Sequence, residues 1–365
     1  MKNIFFWLLY YIKCAFNIVY SYFGNNNIKK ENIEMVKVSK YLYKVSLCGN
    51  YFEMGKQYGE VMKKILIKDV KILINFLKDN QHIFNKKIPE KYKKQNIFES
   101  LIALYNDNVE HYNKDIIEFT KGVSETTKIE YNKLMYATLF PDITDNHCIL
   151  LSKILDKKKL NLRTFDLGCP QLTHTLFVFN PINGNKYISL NVSICFGLVT
   201  GISEKNIFFG ESYCDTKLGN ISYQGMPFHH ISHKILKLCN NLNEGEEVLK
   251  KCNRTSNLDI MLCDNTKSKI FQSCKDKFEI EKEGDYVYSL TPNEKKNFET
   301  NKNYLIDIEN IIKKFIPKTK SGELHIMVSY NRKIYISVTT NVLQSYNNTF
   351  YEFDLGKIFD KNIST

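Results

Sequence analysis

Three side chains in one short stretch could do chemistry together: Cys148, Arg163 and Asp166, in the segment DNHCILLSKILDKKKLNLRTFDLG that runs from Asp145 to Gly168. A cysteine attacks a carbonyl as its thiolate, which needs a base or a nearby positive charge. Arg163 supplies such a charge and could also bind substrate. No histidine has an evident claim as the base, because His147 adjoins the cysteine and would point away from it. A chain break between His147 and Cys148 would create one. The new α-amine titrates near about 7.7–8.0, which suits a general base at neutral pH. A nucleophile at a chain end, served by its own amine, is an established arrangement. Asp166 could then hold that amine in place. The competing reading is that Cys148 is a small hydrophobe in a strand.

This chemistry asks for a hairpin. Residues 148–155 and 160–167 read as strands joined through a three-residue loop, Asp156, Lys157 and Lys158. Leu155 then faces Lys159, and Cys148 faces Asp166. Directly opposed residues lie about 4.5–5.5 Å apart. A loop one residue different would send the partners to opposite faces.

Around the hairpin, residues 35–47 alternate as a strand, and 51–77 repeat at helical period behind the turn and N-cap Gly49-Asn50. One or two helices are expected from Asn96 to near Gly122, and another over 128–140, stopped by Pro141. After Asp145 short strands take over. HTLFVFN and KYISLNVS flank the turn PINGN, and FGLVTGI precedes NIFFGESY. Helices follow at about 228–238 and 244–251. LDIMLCD and KIFQSC then flank NTKS, YVYSL is a strand, YLIDIENIIKKF a helix, and ELHIMVSYN with RKIYISVTT a last hairpin. This order predicts an α+β architecture of two antiparallel sheets packed together with helices outside.

The chain has 365 residues, enough for a sizeable core, and its 43% hydrophobic and 13% aromatic content is that of a folded protein. The net charge of +12 is scattered, with no basic stripe interleaved with stacking aromatics, so no nucleic-acid partner is expected. The ten cysteines include no CxxC pair, which argues against a zinc ribbon. His229, His230 and His233 in HHISH lack the carboxylate of a metal motif and read as a partly exposed helix start. GNYFEMG lacks the Lys-Ser/Thr ending of a phosphate loop, so Gly55 and Gly59 read as close-packing positions. No metal or organic cofactor is implied.

Residues 4–23 carry an apolar run broken by Lys13, which reads as a signal peptide or anchor giving membrane association, or else as an amphipathic first helix. The localisation expected is secretory, endolysosomal or membrane-anchored, with a cytoplasmic alternative. Asn191, Asn220, Asn253, Asn347 and Asn362 stand in N-x-S/T sites that would fit the secretory route.

The nucleophile segment resembles the N-terminal-nucleophile hydrolases, and within them the C45 peptidase or penicillin acyltransferase-like family. Members carry a cysteine followed by an Arg-Asn-aromatic-Asp motif, which here is RTFD, Arg163 to Asp166. SLCGNYFEMGKQYGE, FTKGVSE, GLVTGISEKNIFFGES, GMPFHHISHKIL, SNLDIMLCD and the closing YNRKIYISVTT match further family segments in order, from about residue 40 to 356.

The resemblance implies a four-layer αββα sandwich, self-cleavage before Cys148, and thiol attack on a small amide or N-acyl substrate through an acyl-thioester. The division expected is a signal- or anchor-like hydrophobic segment at 1–30, a helical leading region at 31–147 and a hydrolase core at 148–360. The resemblance makes Cys148 the nucleophile, with Arg163 and Asp166 orienting it. Ser212 falls at an oxyanion-hole position, and Asp259 falls where a second Asn is common, with Asn257 its substitute. The chain departs from the pattern at His147, Ile149, Thr164 and Ser203 as well. Two alternatives stand beside this reading: an inactive binding or structural homologue, and a phospholipase B-like or choloylglycine-hydrolase-like activity.

Overall fold

The structure, a computed structural model, describes residues 28–30, 33–143, 146–168, 171–213, 224–255, 257–274, 278–290 and 292–360. The expected signal or anchor at 4–23 and the sites at Asn220 and Asn362 lie outside the described residues. Among the described residues no helix is long and apolar enough to cross a membrane.

Two sheets form the centre. The first comprises β1 Ile28–Lys30, β2 Ile33–Lys37, β3 Leu42–Gly49, β7 His174–Pro181, β8 Tyr187–Val192, β9 Thr200–Ser203, β10 Phe208–Tyr213, β11 Leu258–Cys263, β12 Ser268–Ser273 and β13 Phe278–Gly284. Its ten strands lie side by side in that same order. The second comprises β4 Asn146–His147, β5 Leu150–Leu155, β6 Lys158–Leu167, β14 Tyr286–Ser289, β15 His325–Tyr330, β16 Lys333–Val338 and β17 Tyr351–Asp354. It runs β14-β5-β6-β15-β16-β17, with β4 paired to the end of β6. Within the described pairs of strands only β3 with β7 is parallel.

Strand alternation assigns each face a different core. Leu176, Val178, Ile188 and Leu190 of the first sheet meet Leu150, Met327, Ile334 and Ile336 of the second. The outer face of the first sheet, with Val45, Leu47, Phe177 and Phe179, is covered by helices. These are α1 Tyr51–Asp79, α2 Ile97–Asn108, α3 Lys114–Thr127, α4 Tyr131–Leu139, α5 Phe228–Leu238 and α6 Leu242–Lys251. The outer face of the second sheet, with Leu151, Leu162, Ile326 and Val328, packs on Phe298 of α7, Pro292–Asn301, and on Ile311, Phe315 and Ile316. The architecture is α+β, in four layers ordered helix, sheet, sheet, helix.

Several details differ from the sequence reading. Residues 35–47 are not one strand: the chain turns at Ser39-Lys40-Tyr41 and returns as β3, pairing Met35 with Val45. The leading region is therefore not purely helical, since it supplies β1, β2 and β3 to the first sheet. α3 runs on past Gly122 to Thr127 and stops where Lys128 turns left-handed, at φ 65°. Gly122 instead allows α1 and α3 to touch: a methyl there would collide with the Phe52 carbonyl, and one on Gly55 with the Phe119 carbonyl. Asn50 caps α1 reciprocally with Glu53.

Candidate active site

The β5–β6 hairpin turns through two residues, not three. Asp156 and Lys157 both take positive φ, 48° and 62°, the geometry whose twist matches paired strands. Leu155 therefore opposes Lys158, Leu150 opposes Arg163, and His147 opposes Asp166. The expected pairing of Cys148 with Asp166 is off by one residue. The shift decides which face each side chain takes: Cys148, Arg163 and Phe165 look toward the first sheet, while Thr164 and Asp166 look toward the outer helices.

On the inner face, the Arg163 guanidinium is fully buried and every one of its five N–H groups has an acceptor. Nε donates to the Glu211 carbonyl at 3.2 Å, Nη1 to Thr200 Oγ1 at 2.8 Å and to His325 Nε2 at 3.3 Å. Nη2 donates to Cys148 Sγ at 3.5 Å and to the Glu211 carboxylate. The guanidinium lies over the Phe165 ring, 4.1 Å from its centroid. Gly210 on β10 makes room for it, since a methyl there would sit 3.1 Å from Arg163 Cγ. Because His325 Nε2 accepts from an arginine, its ring proton is on Nδ1.

The charges follow from this arrangement. Burial pushes the Cys148 thiol well up, Arg163 pulls it down, and Glu211 pushes it up again. Burial likewise raises Glu211 to about 7 against the pull of Arg163. Burial and the neighbouring His174 and Arg163 keep His325 neutral. In the intact chain the cysteine is thus a buried neutral thiol with a guanidinium against its sulfur. Phe165 also lines a small apolar cavity of ≈ 20 Å³ with Leu172, Val192, Ile194 and Cys195.

Ser212, on β10, donates to the Cys148 carbonyl at 3.1 Å. It stands opposite Asp259 in the β10–β11 register, but the Asp259 carboxylate accepts from Ser289 Oγ of β14. Asn257 is buried just before β11. The structure thus brings Cys148, Arg163 and Ser212 into contact and turns Asp259 toward the second sheet's edge strand. Asp166 lies across the strand, where its carboxylate accepts from the amides of Gly322 and Glu323 and from Ser321 Oγ.

Glu211, Thr200 and His325 were missed from sequence. One signal was available: Glu211 is a lone acid in the apolar strand FFGESY, and a fully buried carboxylate needs a cation. The HHISH histidines are also corrected: His229, His230 and His233 are fully buried, because α5 lies against the first sheet on that face. His233 Nδ1 meets Tyr187 Oη at 2.9 Å and its Nε2 meets Asp115 at 3.4 Å. Among the described residues no group of three or more His, Cys, Asp or Glu could hold a metal ion. Asn191 is fully buried, with Nδ2 donating to the Gly197 carbonyl at 2.6 Å, so it is no glycan acceptor in the folded chain.

No family model matches the chain. A curated protein, Protein dcd1A of Dictyostelium discoideum, is 24% identical over 158 residues, 39% of this chain and 36% of that protein. The chain thus spans about a third of that relative's length. Among solved structures, a mutant of conjugated bile acid hydrolase from Clostridium perfringens aligns at TM-score 0.36 with 11% identity, over 59% of this chain and 94% of that one. Penicillin V acylase from Agrobacterium tumefaciens aligns at TM-score 0.36 with 9% identity, over 57% and 86%. The four layers described above rest on this chain's own sheets and cores.

Proposed function

We propose that the chain is a cysteine N-terminal-nucleophile hydrolase or acyltransferase, cleaved before Cys148 and acting on a small amide or N-acyl substrate. The observation that carries this reading is the contact of Arg163 Nη2 with Cys148 Sγ, in the link between β4 and β5, where the residue before the cysteine, His147, opposes Asp166. A cut at that bond frees both the sulfur and an amine. The amine takes the thiol proton, the thiolate attacks the substrate carbonyl, and the departing amine takes the proton back. Water or an acceptor amine then releases the acyl group from sulfur. Arg163 lowers the cost of the thiolate, and Ser212 holds the cysteine backbone. Residues 4–23 would bring this activity to a membrane surface.

The test is to incubate the purified chain with a panel of acyl-amides, including acyl-lipid and bile-acid-type amides, and to map acyl adducts by peptide mass. The expected result is one acyl group on the peptide that begins at Cys148. If that peptide carries no adduct from any member of the panel, the enzyme reading fails and the inactive homologue takes its place.

A further inference from the structure

Behind Asp166, on the helix-facing side of the second sheet, a single hydroxyl is asked to serve three oxygen partners. Ser321 Oγ lies 2.6 Å from Thr164 Oγ1, 2.8 Å from Asp166 Oδ2 and 2.6 Å from Glu294 Oε1. A hydroxyl has one proton to donate and two lone pairs to accept with. Thr164 already accepts from the Ile149 amide at 2.7 Å, so its own proton is free to point at Ser321. Ser321 can then donate to one carboxyl oxygen only. The remaining close contact needs a proton of its own, and it must come from a carboxylic acid.

We infer that Asp166 and Glu294 share one proton through Ser321, and that Glu294 is a positioning residue for the proposed cleavage before Cys148. This rests on the function proposed above. Two carboxyls around one hydroxyl cannot both ionise without repulsion in a buried site. The surroundings allow the proton to move. Asp166 receives the amides of Gly322 and Glu323, which favour its ionised form, while burial and the charge of Glu294 push it up to about 7. Tyr346 also feels the charge of Asp166, as does the Cys148 thiol from the other face of the sheet. Arg163 faces the opposite side of β6 and is held by Glu211.

Placement gives the proton a task. Asp166 is the register partner of His147, the residue on the acyl side of the bond to be cut. In the cleavage the Cys148 sulfur bonds to the His147 carbonyl carbon and the C–N bond breaks. The leaving amine takes a proton from the Asp166–Glu294 pair, and the thiol proton replaces it. Water then hydrolyses the thioester, returning the thiol and leaving a carboxylate on His147. Thr164 links the same cluster to the cysteine, since it holds the Ile149 amide one residue beyond it.

The pair is tested first in full-length Cys148→Ala protein, where cleavage cannot intervene. At about pH 6 ordinary carboxyls are ionised, so protonated-carboxyl infrared absorption should remain from the pair and from Glu211, and the share belonging to the pair should disappear in the Glu294→Gln variant. Gln keeps a donor to Ser321, so this variant should stay folded; Asp166→Asn is the second variant. A band unchanged by both substitutions overturns the shared proton. Cleavage is tested next, by its rate against pH. The wild-type profile should turn near 7, and Glu294→Gln should move that midpoint by a pH unit or more. An unmoved midpoint overturns the role of Glu294. A wild-type chain that never cleaves sinks the functional reading, while the infrared band still decides the pair.

Discussion

One buried polar centre lies between the sheets and another under the helices of the first sheet. At the first, Arg163 and Glu211 pair with no exposure on either side chain. At the second, Tyr51, Tyr187, His233, Asp115 and Lys237 form a chain from the first sheet to the surface, ending in the Lys237–Asp115 pair at 2.6 Å. Asp115 is 28% exposed. The charged groups are paired in both centres, although Glu211 Oε2 and His325 Nδ1 of the first have no hydrogen-bond partner among the described residues, so burial of polar groups alone does not mark a site. The difference lies in what the charge touches. In the helical centre the charges reach water and the buried members are neutral rings. In the inter-sheet centre a full cation lies dry against the Cys148 thiol, just outside the second sheet's β5.

The largest separation of the two centres should come from truncating their charges. Arg163→Met leaves Glu211 buried without its cation, and about 3–5 kcal/mol of stability should be lost. Asp115→Asn should cost about 1 kcal/mol, since Lys237 and the carboxylate are partly solvated. Denaturant midpoints measure both, and added salt should shrink only the Asp115 effect. Equal losses at the two positions would erase the distinction.

Acid pH provides a finer comparison. Burial lowers His174, beside His325 near the inter-sheet centre, and His229, in the helical layer, each to about 3. Unfolded histidine titrates near about 6.5, so the unfolded chain binds the extra proton between those values. The stability each neutral ring contributes is complete above about pH 6.5 and falls as pH drops toward 3. Glu211 and Asp166, held up near 7, act in the opposite sense: they favour the folded state at acid pH and lose that as pH rises from about 4. His174→Leu should therefore remove about 1.4 kcal/mol per pH unit from the acid slope, and the Glu211→Gln variant should steepen it. Urea melts at stepped pH measure each slope. An unchanged slope in the His174 variant would contradict its neutral burial.

The periodic elements were legible in the sequence because their faces are unambiguous. The PINGN and NTKS hairpins, α1 and α5 stand where alternation and helical period put them. The face of each site residue was not legible, because it depends on one residue of loop length. Asp156-Lys157 carries no glycine to announce a left-handed turn, and the three-residue alternative moved every partner by one. β13 escaped notice because FEIEKEG is charged on both faces at the sheet edge. Glu211 and His325 come from strands far apart in sequence: the packing of the two sheets brings Glu211 to Arg163, and the pairing of β15 with β6 brings His325. Of the expected site residues, Arg163 and Ser212 touch Cys148 in the fold.

The central claim is that the bond before Cys148 is meant to break. Intact mass of the purified full-length chain, alongside Cys148→Ala, tests it most directly. The account predicts two fragments from the native chain, the second beginning at Cys148, and one uncut species from the alanine variant. A native chain that stays whole at both acid and neutral pH would contradict it, as would an alanine variant cut at the same bond.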